Sequence, residues 1–377
     1  MRALYTVLLC ATLSSWSGAQ TTRAAPAKPA SDSLPSVTIQ FRAVGNPLPI
    51  SPEDIFRGYP VCSSSGTTFL DVVHHPGYVD QALVGVSPKA EVNTYRIGAA
   101  PGLVNAHVES VDAADSDVYA LVTAERADIL REHDIDPASA DAETAYRYYR
   151  YYILHFGPNL ASPDEIPIDL PFRPMRLAVT DPDKMTILGF DPANESPVLA
   201  VIDHQGQLVR EIDTNGSFGS TAQIVAGAPQ GQGDQSQSVP DTGAQLQWAL
   251  SAAQWVHYGD SLLFLVPGPH ARVVTLRSDG EIQGTNLRLP QGLEALSLVS
   301  SDSQWFVRVT QGAATGNLMN RTMLLMADPS NGSILQIIRT PQLSPIDISC
   351  VRDGKYYAIH WMGDKDNLRS FLMVGTP

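Results

Sequence analysis

At 377 residues, 44% of them hydrophobic, the chain is long enough to bury a large core. Its 25 Lys+Arg stand against 39 Asp+Glu, a formal net charge of −14 with no basic cluster anywhere. That excludes the cationic face needed to displace counterions from nucleic acid and disfavours an anionic membrane surface, while keeping the molecule dispersed in solution.

The N-terminus reads Met1-Arg2, the apolar run Ala3–Leu13, then Ser17-Gly18-Ala19. One positive charge, a short apolar stretch and small residues describe a secretory signal peptide cut after Ala19. The run is shorter than the roughly 20 apolar residues of a membrane span, so no span is expected. Cys10 follows Leu8-Leu9, where lipoprotein cleavage needs a small residue, and it leaves with the signal. Residues 20–35 are small, polar and proline-bearing, a flexible leader that cannot offset its ordering entropy. The rest, 36–377, carries one recurring pattern.

That pattern is clearest where two alternating strands, Arg176–Thr180 and Met185–Phe190, precede the hairpin Pro197–Ile212 with its turn at Asp203-His204-Gln205-Gly206. The turn type returns at Arg277–Gly280 and Asp328–Gly332, each between apolar runs. A unit of about four strands recurring every 35–50 residues or so is the signature of a β-propeller, in which length adds blades rather than domains. Six strand groups follow in chain order, over 66–97, 105–156, 175–212, 248–282, 295–338 and 346–374. The last holds three strands, and native sheets avoid open edges. Ser36–Ala43 alternates well and has no group of its own, so it is expected as the fourth strand that closes the ring. The fold class is therefore all-β, a single six-bladed propeller.

Two segments break the period. Residues 124–150 are rich in helix formers and predict a small helical insertion in the second blade. Residues 227–243 are polar and of low complexity, a disordered loop between blades three and four.

With their Asp-to-Gly turns followed by alternating apolar strands, residues 66–374 resemble bacterial six-bladed propellers of the NHL and TolB-like kind. No blade carries a Trp-Asp dipeptide or a kelch double glycine. The resemblance implies a fold used to bind protein, carbohydrate or peptide and, in some branches, to hydrolyse. A lactonase-type hydrolase would set carboxylates and amides around a metal in the central channel, and Asp71, Asn105, His107, Glu109 and Asp347 are the candidates for such a set. Any propeller channel is lined by polar groups, and no local motif marks these five. His74-His75 point to opposite faces of a strand and cannot jointly chelate. Metal-ligand spacings, Gly-x-Ser-x-Gly and phosphate loops are all absent from the sequence, so no metal or cofactor is expected.

Cys62 and Cys350 form an even pair for an oxidising compartment, either a disulfide between first and last blades or two unrelated buried thiols. The stretch Tyr146–Tyr152 holds five Tyr and two Arg, residue types enriched at interaction hot spots. Tyr146, Tyr148, Arg150 and Tyr151 are therefore the candidate ligand-binding residues; the alternative is that alternate tyrosines pack inward and arginines cap outward. The resulting expectation is a periplasmic or secreted binding propeller. It offers a ring face to a protein, peptide or glycan of the cell envelope, and a metal-dependent hydrolase is the alternative.

Overall fold

The turns that punctuate the sequence close as local hydrogen-bonded units. Asp203 N donates to Gln207 O and Gly206 N to Asp203 O, each at 3.0 Å, while Asp203 Oδ1 accepts from the amides of Gln205 and Gln207 at 2.9 Å. Gly206 takes φ +78° there, and Gly280 and Gly332 repeat the conformation at +89° and +70°. Glycine reaches this left-handed region without steric cost, which fixes where each hairpin reverses. These details come from a computed structural model that describes residues 34–50, 55–73, 81–114, 116–128, 148–157, 162–181, 183–191, 193–214, 255–267, 270–311, 322–363 and 367–377.

Two short strands come first, β1 (Ser36–Thr38) and β2 (Gln40–Val44). Antiparallel groups follow. The first is β3 (Ile55–Cys62), β4 (Thr68–Val73), β5 (Gln81–Val86) and β6 (Val92–Arg96). The second is β7 (Leu103–Ala114), β8 (Asp117–Arg126), β9 (Tyr149–Phe156) and β10 (Asp164–Ile168). The third is β11 (Arg173–Asp181), β12 (Lys184–Asp191), β13 (Ser196–Asp203) and β14 (Leu208–Ile212). The fourth is β15 (Trp255–Tyr258), β16 (Ser261–Val266), β17 (Arg272–Leu276) and β18 (Ile282–Asn286). The fifth is β19 (Leu293–Ser301), β20 (Trp305–Gln311), β21 (Thr322–Ala327) and β22 (Ile334–Arg339). The sixth is β23 (Ile348–Arg352), β24 (Lys355–Met362) and β25 (Arg369–Thr376), with β2 on its outer edge.

First strands of successive groups touch in a cycle: β3 to β7, β7 to β11, β11 to β15, β15 to β19, β19 to β23, and β23 back to β3. Each junction is filled by its own apolar cluster, six in turn round the cycle. Alternation divides one strand between two junctions. On β8, Val118, Ala120, Val122 and Ala124 face the first group while Tyr119 and Leu121 face the third. Strands buried on both faces read as nearly continuous apolar runs, as Val118–Val122 does. The chain is a β-propeller, its sheets arranged radially with first strands innermost.

Several expectations are refined. Ser36–Ala43 is not one strand. β2 pairs antiparallel with β25, but β1 pairs parallel with β22 of the preceding group, Ser36 opposite Ile337. Ile39 causes the division: wholly buried between fifth and sixth groups, it donates its N–H to Arg339 O at 2.9 Å, so the chain steps from one sheet edge to the next. Three strands are missing from the sequence reading: β3, interrupted by Gly58 and Pro60 with a register shift between Arg57 and Val61; β10, whose Pro167 sits where an outer edge tolerates it; and β15, in place of which the sequence reading puts a strand at Trp248–Ser251, outside the described residues. Of the segment 124–150, Ala124–Arg126 finish β8 and Tyr149–Arg150 open β9, so its two ends are strand rather than helix. Residues 129–147 and the loop 227–243 lie outside the described residues, as do residues 1–33. Among the described residues there is no complete α-helix, and no helix long and apolar enough to cross a membrane.

Cys62 at the end of β3 and Cys350 in β23 form a disulfide, their Cα atoms 5.6 Å apart, within the sixth-to-first junction cluster. It joins positions 288 residues apart. Closing so long a loop stabilises by up to about 5 kcal/mol in the chain-entropy model. Unfolded, unreduced protein lacking residues 1–19 should therefore show no titratable thiol, and two after reduction. A Cys350→Ser variant should lose several kcal/mol in denaturant unfolding, and labelling of two thiols without reductant would contradict the bond.

Candidate functional site

The inner wall of the ring is polar, and its polar groups bind one another across groups. On β7, Asp112 is almost wholly buried. Its Oδ1 accepts from Ala113 N and its Oδ2 from Val179 N on β11, both at 2.8 Å, while His257 Nε2 on β15 lies 2.9 and 2.7 Å from the two oxygens. Because a carboxylate only accepts, the Nε2 proton belongs to this pair. The circuit then continues round the ring. Ser300 Oγ on β19 donates to His257 O at 3.0 Å and accepts from Arg352 Nη2 on β23 at 2.6 Å. Arg352 Nη2 also reaches Ser63 O just beyond β3, and Ser64 Oγ donates to Ala113 O on β7 at 3.2 Å. Five groups are thus linked in one loop of hydrogen bonds, and the third joins it through Val179 N on Asp112.

A second cluster lies nearer the start of β7, where two bulges, between Val104 and His107 and between Val108 and Ser110, reset which side chains face inward. His107 Nε2 and Thr123 Oγ1 lie 3.0 and 2.8 Å from Glu109 Oε1, and Arg173 Nη2 on β11 is 3.8 Å away. Burial alone would raise the Glu109 pKa, but the hydrogen bond and charge of His107, the Arg173 charge and the Thr123 hydroxyl prevail and hold it at about 2. Arg176 donates to the carbonyls of Glu109 and Met175; burial pushes its pKa down to about 10, against the nearby Glu109 charge. A third set joins fifth and sixth groups. Arg308, 1% exposed, donates to Ser297 Oγ and to the carbonyls of Leu298, Pro345 and Ile348. Asp347 Oδ2 lies 2.8 Å from His360 Nδ1; burial raises the Asp347 pKa more than His360 lowers it.

Of the five channel candidates, the structure brings together only His107 and Glu109. Asn105, at φ +51°, bonds Glu125 near the surface. Asp71 is on β4, a second strand rather than an inner one, and Asp347 sits on a short 3-10 turn over Pro345–Asp347 with His360. Among the described residues no three His, Cys, Asp or Glu side chains converge as a metal site. His74-His75 fall outside the described residues.

The tyrosine stretch divides. Tyr146 is outside the described residues. Tyr148 is half-buried and Arg150 exposed, its Nη1 on Tyr149 O at 3.0 Å. Tyr151, a candidate ligand-binding residue, is buried in the junction with the third group, and Tyr152 is buried in the junction with the first, its hydroxyl on Gly98 O at 2.9 Å. Burial drives the Tyr152 pKa up to about 12. The cause is period-two alternation on a strand covered on both faces. At the ring face where β7 begins, Arg150 shares a hollow of about 600 Å³ with Arg126, Asp128 and Leu103, the Arg126 guanidinium forking onto the Asp128 carboxylate. The Asp112–His257 pair, 145 residues apart, has no local signal.

No protein-family model matches the sequence, nor does any curated protein. Solved structures do. A protein of unknown function from Dyadobacter fermentans aligns over 89% of this chain and 98% of its own at 9% identity and TM-score 0.47. The β-propeller domain of the trilobed protease from Pyrococcus furiosus aligns over 86% and 82% at 9% identity and TM-score 0.37. A third, YCF48 bound to D1 peptide, aligns over 91% and 97% at 9% identity and TM-score 0.41. These are likenesses of shape at low score, and the architecture rests on the pairing and junctions described above.

Replacing Asp112 by Ala leaves His257 Nε2 and the amides of Ala113 and Val179 without their acceptor. A loss of about 3–5 kcal/mol is expected in denaturant unfolding, the scale for breaking a buried pair; a loss below about 1 kcal/mol, as at ordinary surface sites, would contradict it. The Glu109 carboxylate makes a pH-dependent contribution. Its folded pKa lies below the ordinary 4.5, so its stabilisation is present above that value and disappears as pH falls toward 2. Its upper size is about 3 kcal/mol. Glu109→Gln should remove that acid-side slope from a plot of stability against pH, leaving the variant less stable at neutral pH.

Proposed function

We propose that the chain is an exported, non-catalytic six-bladed propeller that presents a ring face to a protein, peptide or glycan of the cell envelope. The observation that carries this reading is the exposed Arg150 in the lining of the ring-face hollow, two residues along the chain from the half-buried Tyr148. A guanidinium at a surface hollow next to a long insertion is the type of group that recognises carboxylates, amides or sugar hydroxyls. Export is supported by the signal-like N-terminus and by the disulfide, which persists in oxidising compartments. A non-catalytic role is supported by the channel, where Asp112, Glu109 and Arg308 are engaged in bonds between neighbouring groups. Six blades are supported by the closed cycle of six junctions.

The test is a pair of variants read by two measurements. Tyr148→Ala with Arg150→Ala should weaken capture of an envelope glycan or peptide on an array about tenfold or more, the scale of a lost charge-assisted bond, with Tm nearly unchanged. Tyr151→Ala should instead cost about 3 kcal/mol in stability, as buried aromatic truncations do. If the double variant lowers Tm strongly and leaves capture intact, the partner surface lies elsewhere.

A further inference from the structure

On the opposite ring face, where β11 and β15 end, a cavity of about 640 Å³ opens between the third and fourth groups. This is within the size range of small-molecule sites, roughly 300–1,000 Å³. His257 lines its inner end. With Nε2 committed to Asp112, the ring's Nδ1 has no partner among the described residues, yet it is not sealed from solvent as unpartnered buried atoms are. Since Nε2 donates to the carboxylate, Nδ1 is the acceptor of the neutral ring, on a side chain that lines the cavity. A 5%-exposed imidazole held by a buried carboxylate with its other nitrogen unspent asks for a donor from a ligand.

The rest of the lining is mixed in charge in an informative way. Lys184 on β12 and Arg210 on β14 have no bonding partner among the described residues, and the Arg210 guanidinium lies over the Gly280 turn on the far side. Arg277 also lines the cavity but is occupied by Asp279 and Glu281 at 3.6 and 3.3 Å. Asp181 accepts from Asp183 N at 3.0 Å through one oxygen, and Asp260 sits at the tip of the β15–β16 hairpin. On a chain of net charge −14, Lys184 and Arg210 are two uncommitted cations among the residues lining one cavity. Acceptors (His257 Nδ1, Asp181, Asp260) and cations (Lys184, Arg210) together match a molecule carrying several hydroxyls and one acid group. We propose that this cavity binds a small polyhydroxylated anion, a sugar acid or sugar phosphate. Its acid group would lie between Lys184 and Arg210 and one hydroxyl would donate to His257 Nδ1. This site is distinct from the ring face proposed above and does not depend on it.

Full-length protein lacking the signal residues can be titrated calorimetrically with gluconate, glucose 6-phosphate, glucose and acetate. Gluconate or glucose 6-phosphate should bind and shift the His257 Nδ1 resonance in nitrogen-15 spectra, and which of the two binds tells a carboxylate from a phosphate ligand. Glucose and acetate should each bind about tenfold more weakly or worse, since each lacks one half of the recognition. Lys184→Ala with Arg210→Ala, both at exposed positions, should reduce binding of the acid about a hundredfold while Tm stays unchanged, on the scale of two lost charge-assisted bonds. Absence of binding by both acids, equal binding of glucose or acetate, unaltered affinity in the double variant, or an unmoved His257 resonance would each overturn the proposal.

Discussion

The loop of hydrogen bonds through Asp112, His257, Ser300, Arg352 and Ser63–Ser64 is the constraint on which the ring depends. A radial array of sheets is held at its rim by apolar junctions that are non-directional and would tolerate small changes of angle. Directional bonds at the hub do not. Asp112 alone sets three neighbouring inner strands, β7, β11 and β15, at hydrogen-bonding distance. Arg352 and Ser300 do the same for β23 and β19 and for the loop after β3. The disulfide secures the one place where the first and last groups meet without a continuous chain. Chain ends, covalent bond and polar loop therefore act on one seam.

Burying charges in that wall carries a desolvation cost which only full pairing offsets. The pairing is close to complete: the Asp112 oxygens face two amides and an imidazole, and the Arg308 guanidinium meets four oxygens. Partially satisfied networks are worse than apolar packing, so such residues come as sets. The exceptions carry meaning on the same ground. His257 Nδ1 is a spare acceptor on a ring whose Nε2 is engaged by Asp112, and the side chain lines a cavity.

Much of the architecture was legible because it is local. A turn such as Asp203–Gly206 is written in four residues, and two-sided burial writes a strand as an apolar run, as in Leu262–Val266. Segments whose pairing is decided elsewhere were not legible. Ser36–Ala43 looks like one alternating strand, yet the buried Ile39 hands it from β22 to β25. β3 hides behind Gly58 and Pro60. Tyr151 and Tyr152 look like a sticky patch in sequence, but alternation sends them into opposite junctions. Sites are the least legible of all. His107 and Glu109 share a face because they are two residues apart, whereas Asp112 and His257 meet only because two groups are set side by side, which no spacing encodes.

That contrast bears on where such a protein can evolve a binding function. A hub tied together by buried hydrogen-bonded groups cannot exchange its residues singly, because each removal leaves another polar group unpaired at a cost of about 1–3 kcal/mol. Turns and loop ends at the two ring faces, and side chains such as Arg150, Lys184 and Arg210 that the hub does not use, carry no such penalty. Surface recognition can therefore change on both faces while the hub stays fixed. His257 is a hub residue that also contributes to a surface, since its ring has two nitrogens and the wall uses one.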